Sequence, residues 1–262
     1  MEIDWFTETR RVFRAIPKHI VSTNSVLPCL QRISIMKISI IIPVYNEVNT
    51  LEQIVRRVRE VPLEKEIIIV DDASTDGTTQ AVKRISADEV KKIFHEKNKG
   101  KGAAIRSAIP MVEGDIVIIQ DADLEYYPDE YPLLINLILK GRADVVYGSR
   151  FIGTHRCFLF SHYVGNLVVN FIANVLYDTM LSDFMTCYKA FKAEVIKKIN
   201  LTSDRFGFEA EVTGEVFRRG FKVYETPISY SGRNYSEGKK IKWTDFFVVV
   251  WWLVKTRFKK LK

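Results

Sequence analysis

The chain has 262 residues, of which 47% are hydrophobic and 27% charged, with a net charge of +7. This is the composition of an ordinary globular chain, long enough for one large domain or two small ones, and it excludes a disordered or fibrous one. No run of 18 apolar residues occurs; the closest, Phe246–Val254, has nine, so no membrane-spanning helix is predicted. Cys29, Cys157 and Cys187 lie too far apart for a zinc motif or a disulfide framework, which points to a reducing compartment. The positive charge suits an anionic partner: a phosphorylated ligand, an acidic lipid or nucleic acid. No basic-aromatic module supports nucleic acid.

Residues 1–35 lack periodicity and are broken by Pro17 and Pro28, so they read as an N-terminal extension. No uninterrupted apolar core follows Arg10, Arg11 and Arg14, unlike a signal peptide. From 38 onwards the pattern alternates. Strands are predicted at 38–44, 66–70, 91–95, 115–120 and 144–147, with helices at about 49–60, 77–86, 101–112 and 129–140. Apolar strands separated by helices predict an α/β fold, a mostly parallel sheet covered on both faces. Beyond 150, Leu167, Val168, Phe171, Ile172, Val175 and Leu176 predict a helix over 165–181. A helix at 208–219 and a strand at 222–230 follow. The domain is read as 36–241, and 242–262 as a C-terminal amphipathic basic helix, with five basic residues between Lys255 and Lys262.

In a parallel sheet, ligands bind beyond the carboxyl ends of the strands, and the polar clusters fall there. Gln120, Asp121, Ala122, Asp123, Leu124 and Glu125 follow the apolar run 115–119. In extended chain Asp121, Asp123 and Glu125 share one face, and three converging carboxylates call for a cation. Mg2+ or Mn2+ fits, since both take oxygen ligands and also hold substrate phosphates. Pro43, Tyr45, Asn46 and Glu47 follow the first strand; Asn46 suits a helix cap and Tyr45 a stacking platform. Asp71 and Asp72 end the second strand, with Thr75 or Asp76 placed to cap the next helix. Asn98, Lys99, Gly100, Lys101 and Gly102 open a helix whose N-terminus and lysines attract phosphate. Arg150 can fork onto phosphate or carboxylate oxygens, and Arg233, Lys239 and Lys240 add positive charge. Asp183 to Phe191 and Phe206 to Glu211 are candidates for the acceptor side of a cleft.

In this order and spacing, Ile-Pro-Val-Tyr-Asn-Glu (42–47), Val-Asp-Asp-Ala-Ser-Thr-Asp-Gly-Thr (70–78), Asn-Lys-Gly-Lys-Gly-Ala-Ala (98–104), Gln-Asp-Ala-Asp-Leu-Glu (120–125) and Tyr-Gly-Ser-Arg (147–150) resemble the family-two glycosyltransferases with the GT-A fold. The segment 183–191 looks most like the dolichol-phosphate mannose synthase group and related polyprenyl-phosphate glycosyltransferases. The resemblance implies a nucleotide-sugar donor, GDP-mannose or UDP-glucose, held by Pro43, Tyr45, Glu47, Asp71, Asp72, Lys101, Gln120, Asp121 and Ala122. It implies a metal on Asp121 and Asp123, with Glu125 standing where relatives often carry Gln. Asp123, Arg150, Asp183 and Arg233 are the implied catalytic residues, and transfer is expected to invert the anomeric carbon.

A phosphate acceptor is ionised near neutral pH and needs no strong base; a hydroxyl acceptor needs one, with Asp183 or Glu209 as candidates. The leading expectation is a transferase to polyprenyl phosphate, peripheral at the cytoplasmic face of a membrane. There the helix at 165–181 and the tail bearing Trp243, Trp251 and Trp252 would meet the headgroups. The alternatives are a soluble transferase acting on a hydroxyl acceptor and a non-catalytic nucleotide-sugar-binding protein.

Overall fold

The computed structural model describes residues 36–86, 90–156, 160–205, 207–233 and 244–260. Residues 36–262 form one compact unit. The extension at 1–35, with Cys29, and the expectations on Cys157, Lys239, Lys240, Trp243 and Lys262 lie outside the described residues.

Seven strands form one sheet: Ile38–Val44 (β1), Lys65–Asp71 (β2), Val90–Phe94 (β3), Ile116–Ile119 (β4), Val145–Ser149 (β5), Lys189–Lys192 (β6) and Val223–Pro227 (β7). Their order is β3-β2-β1-β4-β6-β5-β7. β1 runs parallel to β2 and β4, β2 to β3, and β5 to β7. β6 is antiparallel to β4 and β5. The sequence did not announce β6. Lys-Ala-Phe-Lys is too short and too charged at its ends to carry a strand pattern, and pairing between β4 and β5 makes it one.

Strand periodicity divides the core in two. Ile40, Ile42, Ile67, Ile69, Ile116 and Ile118 face one side, while Ile41, Ile68, Val70, Val117 and Ile119 face the other. Leu51–Glu60 (α1), Thr78–Arg84 (α2) and Tyr131–Leu139 (α4) cover the first side. Lys101–Ala108 (α3), Phe160–Tyr177 (α5), Ala193–Lys198 (α6), Phe208–Arg218 (α7) and Asp245–Phe258 (α8) cover the second. Both faces are therefore apolar, which is why β1, β2 and β4 read as near-continuous runs of isoleucine and valine.

The helix expected at 165–181 begins earlier and ends at Tyr177, where Asp178 takes a φ of 50°. The tail helix packs against α5 and α7 within the same compact unit, burying Val249, Leu253 and Thr256. Gly214 of α7 permits that approach: a Cβ there would lie 2.4 Å from Tyr177 Oη and 2.6 Å from Thr256 Cγ2.

At the amino end of the sheet, Glu66 is 4% exposed. Its Oε1 accepts hydrogen bonds from Ser39 Oγ (2.5 Å) and the amides of Glu113 (2.7 Å) and Gly114 (3.2 Å), while Oε2 lies 2.7 Å from Lys91 Nζ. Burial pushes this carboxyl up, but Lys91, Ser39 and the Glu113 amide outweigh it and hold its pKa at about 2, against an ordinary 4.5. A carboxyl depressed on folding stabilises the protein above its unfolded pKa and loses that contribution as the pH falls through the folded one. The melting temperature should therefore drop between pH 4.5 and 2. Glu66→Gln should flatten that slope and cost about 2 kcal/mol at neutral pH. Equal slopes for the two proteins in calorimetry would reject the role.

Candidate active site

The chain leaving β1, β2 and β4 at their carboxyl ends turns into one cavity of 450 Å³. Pro43, Tyr45, Glu47, Asp72, Lys101, Asp121, Ala122, Asp123, Glu125, Arg150 and Arg233 all lie on its wall. Thus the structure brings most of the candidate residues together across nearly 200 positions of sequence. Asp71, Gln120 and Asp183 are buried and do not belong to the wall. Asp71 instead accepts from the Ser74 amide and the Thr79 hydroxyl, which shapes the turn after β2. Gln120 accepts from Tyr131 Oη and donates to the Asp121 carbonyl.

Asp72, 3% exposed, organises one side of the cavity. Its Oδ1 accepts from the Lys99 amide (2.9 Å) and meets His95 Nδ1 (2.6 Å), and its Oδ2 accepts from the Gly100 amide (2.6 Å). His95 Nε2 lies 2.9 Å from Ser107 Oγ of α3. One carboxylate thereby ties the end of β2 to the start of α3. Gly100 is needed at that junction: its φ is 100°, and a Cβ would lie 2.4 Å from the Asp204 carbonyl oxygen.

Lys101 then follows at the head of α3, with Nζ 2.6 Å from Asp121 Oδ1 and 3.6 Å from Glu209 Oε1. Burial works against this ammonium, but Asp121 and Glu209 outweigh it and hold its pKa above the usual lysine value. Glu209 also faces Lys189, 3.5 Å from its Nζ. Lys189 is fully buried and donates to the carbonyls of Phe184 and Thr186. Burial pushes its pKa down, against the pull of Glu209.

The acidic segment is a turn, with Leu124 at a φ of 64°. Extended-chain geometry therefore does not align its three carboxylates. Glu125, though on the wall, has both oxygens engaged, accepting from Tyr230 Oη (2.6 Å) and the Arg233 amide (2.7 Å). This corrects the expected three-carboxylate cluster: among the described residues no three His, Cys, Asp or Glu side chains are placed to hold an ion. Asp121 and Asp123 still face the cavity together. Burial, then the charges of Asp121 and Glu125, push the Asp123 carboxyl up to about 8. A carboxyl under that pressure is relieved by a cation. Two carboxylates suffice for Mg2+ when substrate phosphates complete its shell, so the residues fit a divalent ion.

Arg150 forms a two-pronged pair with Asp183, Nε to Oδ2 and Nη2 to Oδ1, both 2.7 Å, and its amide donates to Oδ2 at 3.0 Å. Its guanidinium lies 5.2 Å from the Tyr230 ring centre. Asp183 is fully buried with both oxygens engaged by Arg150, so it is not placed as the general base considered from sequence. Arg233 donates to Glu47 and to the Asp123 carbonyl. Asn46 does not cap α1; its Oδ1 accepts from the Thr75 amide, whereas Asp76 accepts from the Thr78 amide at the start of α2.

The family described as Glycosyl transferase family 2 matches residues 39–199. The chain belongs to that family. This glycosyltransferase is 30% identical over 227 residues to the polyprenol monophosphomannose synthase of Mycolicibacterium smegmatis, covering 81% of this chain and 85% of that one. It is 29% identical over 214 residues to the undecaprenyl-phosphate mannosyltransferase of Micrococcus luteus, covering 78% and 87%. Its fold matches glucosyl-3-phosphoglycerate synthase from Mycobacterium tuberculosis, solved with Mn2+, UDP and phosphoglyceric acid, with a TM-score of 0.69. That match is 19% identical and covers 89% and 83% of the two chains. The expected GT-A fold is thus observed.

Sequence reasoning missed Tyr126, Arg205 and Tyr230 on the glycosyltransferase's cavity wall and His95 behind it. Only Tyr230 carried a signal, an aromatic three positions before Arg233. Removing the Asp183 carboxylate leaves the half-buried Arg150 without the partner of its two-pronged pair. Asp183→Ala should cost about 3–5 kcal/mol in urea unfolding and lower transfer together with it. An unchanged urea midpoint would show that the pair carries no stability.

Proposed function

We propose that this glycosyltransferase moves a hexose from a nucleotide-sugar donor to the phosphate of a polyprenyl phosphate, with inversion at the anomeric carbon. Mannose from GDP-mannose is the favoured donor, because both curated relatives are named for mannose and a polyprenyl lipid. UDP-glucose is the second candidate.

The observation that carries the acceptor class is the pairing of the carboxylates. Asp183 is locked to Arg150, Glu209 stands between two lysines, and Glu125 receives Tyr230 and Arg233. Each of these carboxylates is already engaged by its neighbours and none stands free to take a proton from a hydroxyl, which suits an acceptor that is already ionised. An oxygen of the acceptor phosphate attacks the anomeric carbon as the bond to the donor diphosphate breaks, and the nucleoside diphosphate leaves. Tyr45 and Glu47 flank the base and ribose. Lys101 and Arg233 face the charge that develops on the leaving diphosphate, while Arg150, aligned by Asp183, meets the acceptor phosphate. Asp121 and Asp123 would hold Mg2+ or Mn2+, which supplies Lewis-acid neutralisation of the leaving group.

Membrane contact fits the second face of the sheet. Among the described residues no helix is long and apolar enough to cross a membrane. Yet α5 and α8, packed together, leave Phe160, Phe171, Val175, Phe247, Trp251 and Phe258 exposed. Lys255 lies over the Trp252 ring, and Arg257 and Lys260 continue the charge. Aromatic residues with lysine and arginine suit the headgroup layer of an anionic cytoplasmic leaflet.

Two experiments test this. Labelled GDP-mannose and UDP-glucose, offered with a short polyprenyl phosphate and Mg2+ or Mn2+, should yield labelled lipid from one donor. Label on a soluble hydroxyl acceptor alone would favour the alternative. Asp123→Ala should lower lipid labelling by about a hundredfold or more without unfolding the chain. The pair Phe171→Glu and Trp251→Glu should weaken co-sedimentation with anionic vesicles; undiminished binding would remove this face from the membrane contact.

A further inference from the structure

We infer that Lys101 is the resident counter-cation of Asp121 and competes with the divalent ion for that carboxylate until a nucleoside diphosphate arrives. The inference rests on the reading above, in which Asp121 and Asp123 hold the ion.

Lys101 Nζ sits 2.6 Å from Asp121 Oδ1, on the wall of the donor cavity. An ammonium on Oδ1 and a divalent ion on either oxygen of the same carboxylate would lie a few ångströms apart and repel one another. The ion therefore binds better once one of them moves, and the surroundings decide that it is Lys101. The backbone at Lys101 is held by the amide bonds from Lys99 and Gly100 to Asp72 and by the close fit of Gly100 against Asp204. Only the flexible stem of the lysine is left to swing. A second partner is already in place, since Glu209 Oε1 lies 3.6 Å from Nζ. Glu209 cannot follow Lys101 towards Asp121, because the fully buried Lys189 stands 3.5 Å from its other oxygen. Lys101 thus has two carboxylates within one swing, one contested by the ion and one not.

The consequence is linkage. Without nucleotide, the ion pays the cost of displacing Lys101. A nucleoside diphosphate supplies new oxygens to both cations, so Lys101 turns onto phosphate and releases Asp121. Ion and nucleotide therefore bind cooperatively, and each raises the affinity of the other by the same factor. The device keeps Asp121 neutralised in the empty enzyme and delays metal binding until the donor is present.

Mn2+ is the probe, titrated against the full chain by the paramagnetic resonance of free Mn2+, alone and with saturating GDP or UDP. Wild type should bind Mn2+ weakly alone and more tightly with nucleotide. Lys101→Met should bind Mn2+ alone about fivefold or more tightly than wild type, and its gain from nucleotide should shrink by the same factor. Lys101→Arg, which keeps a cation beside Asp121, should behave as wild type. Glu209→Gln, which weakens the second partner, should shift the nucleotide-free affinity the opposite way, and it carries the test alone should Lys101→Met be unstable. Equal Mn2+ affinity across these proteins overturns the inference while leaving the functional reading intact. Failure of wild type to bind Mn2+ with either nucleotide overturns the functional reading as well.

Discussion

The buried carboxylate of Asp72 is the constraint on which one side of the cavity depends. It holds two successive amides, Lys99 and Gly100, and the His95 ring, so that three separate segments meet at one side chain. Each of these bonds is made to a carboxylate that is almost fully buried, where such bonds are stronger than in water. The start of α3 is therefore set by the end of β2, and Lys101 reaches Asp121 because of it. His95 in turn reaches Ser107 on the same helix, so α3 is gripped at both its first and its last turn.

The same economy runs around the cavity. Asp121 meets Lys101, Glu209 meets Lys101 and Lys189, Asp183 meets Arg150, and Glu47 meets Arg233. Burying any one of these charges alone would be costly, and pairing makes the set tolerable. The arrangement also has a chemical outcome. The acids are held as counter-charges, and the cations stand around one shared cavity. Cations gathered around one cavity favour an anionic ligand there. Asp123 is the exception, a carboxyl pushed up by burial and by its acidic neighbours.

The second face of the sheet serves a different demand. α8 buries Val249 and Leu253 against its neighbours and exposes Phe247 and Trp251 on the other side. The sequence posed these as competing readings, core packing or an interfacial helix. A helix has room for both, since its 3.6-residue turn separates the faces. The exposed aromatic residues stand beside Lys255 and Arg257, and this outer side is the one the membrane proposal uses.

What the sequence determined by itself was the alternating α/β frame and the position of the polar clusters. Runs such as Ile-Ile-Ile at 40–42 and 67–69 are legible because a doubly covered strand leaves no position for polar residues. Motif order then pointed to the family, and Tyr45, Asp72, Lys101, Asp121 and Asp123 did reach one cavity. Tertiary structure decided the rest. β6 exists only because β4 and β5 flank it. Glu125 is engaged by Tyr230 and the Arg233 amide, and Asp183 became the anchor of Arg150. His95, Tyr126 and Tyr230 entered the site without a motif. In each case the partner lies far away in sequence, and a side chain's role follows from the charge or donor brought beside it, which spacing along the chain does not encode.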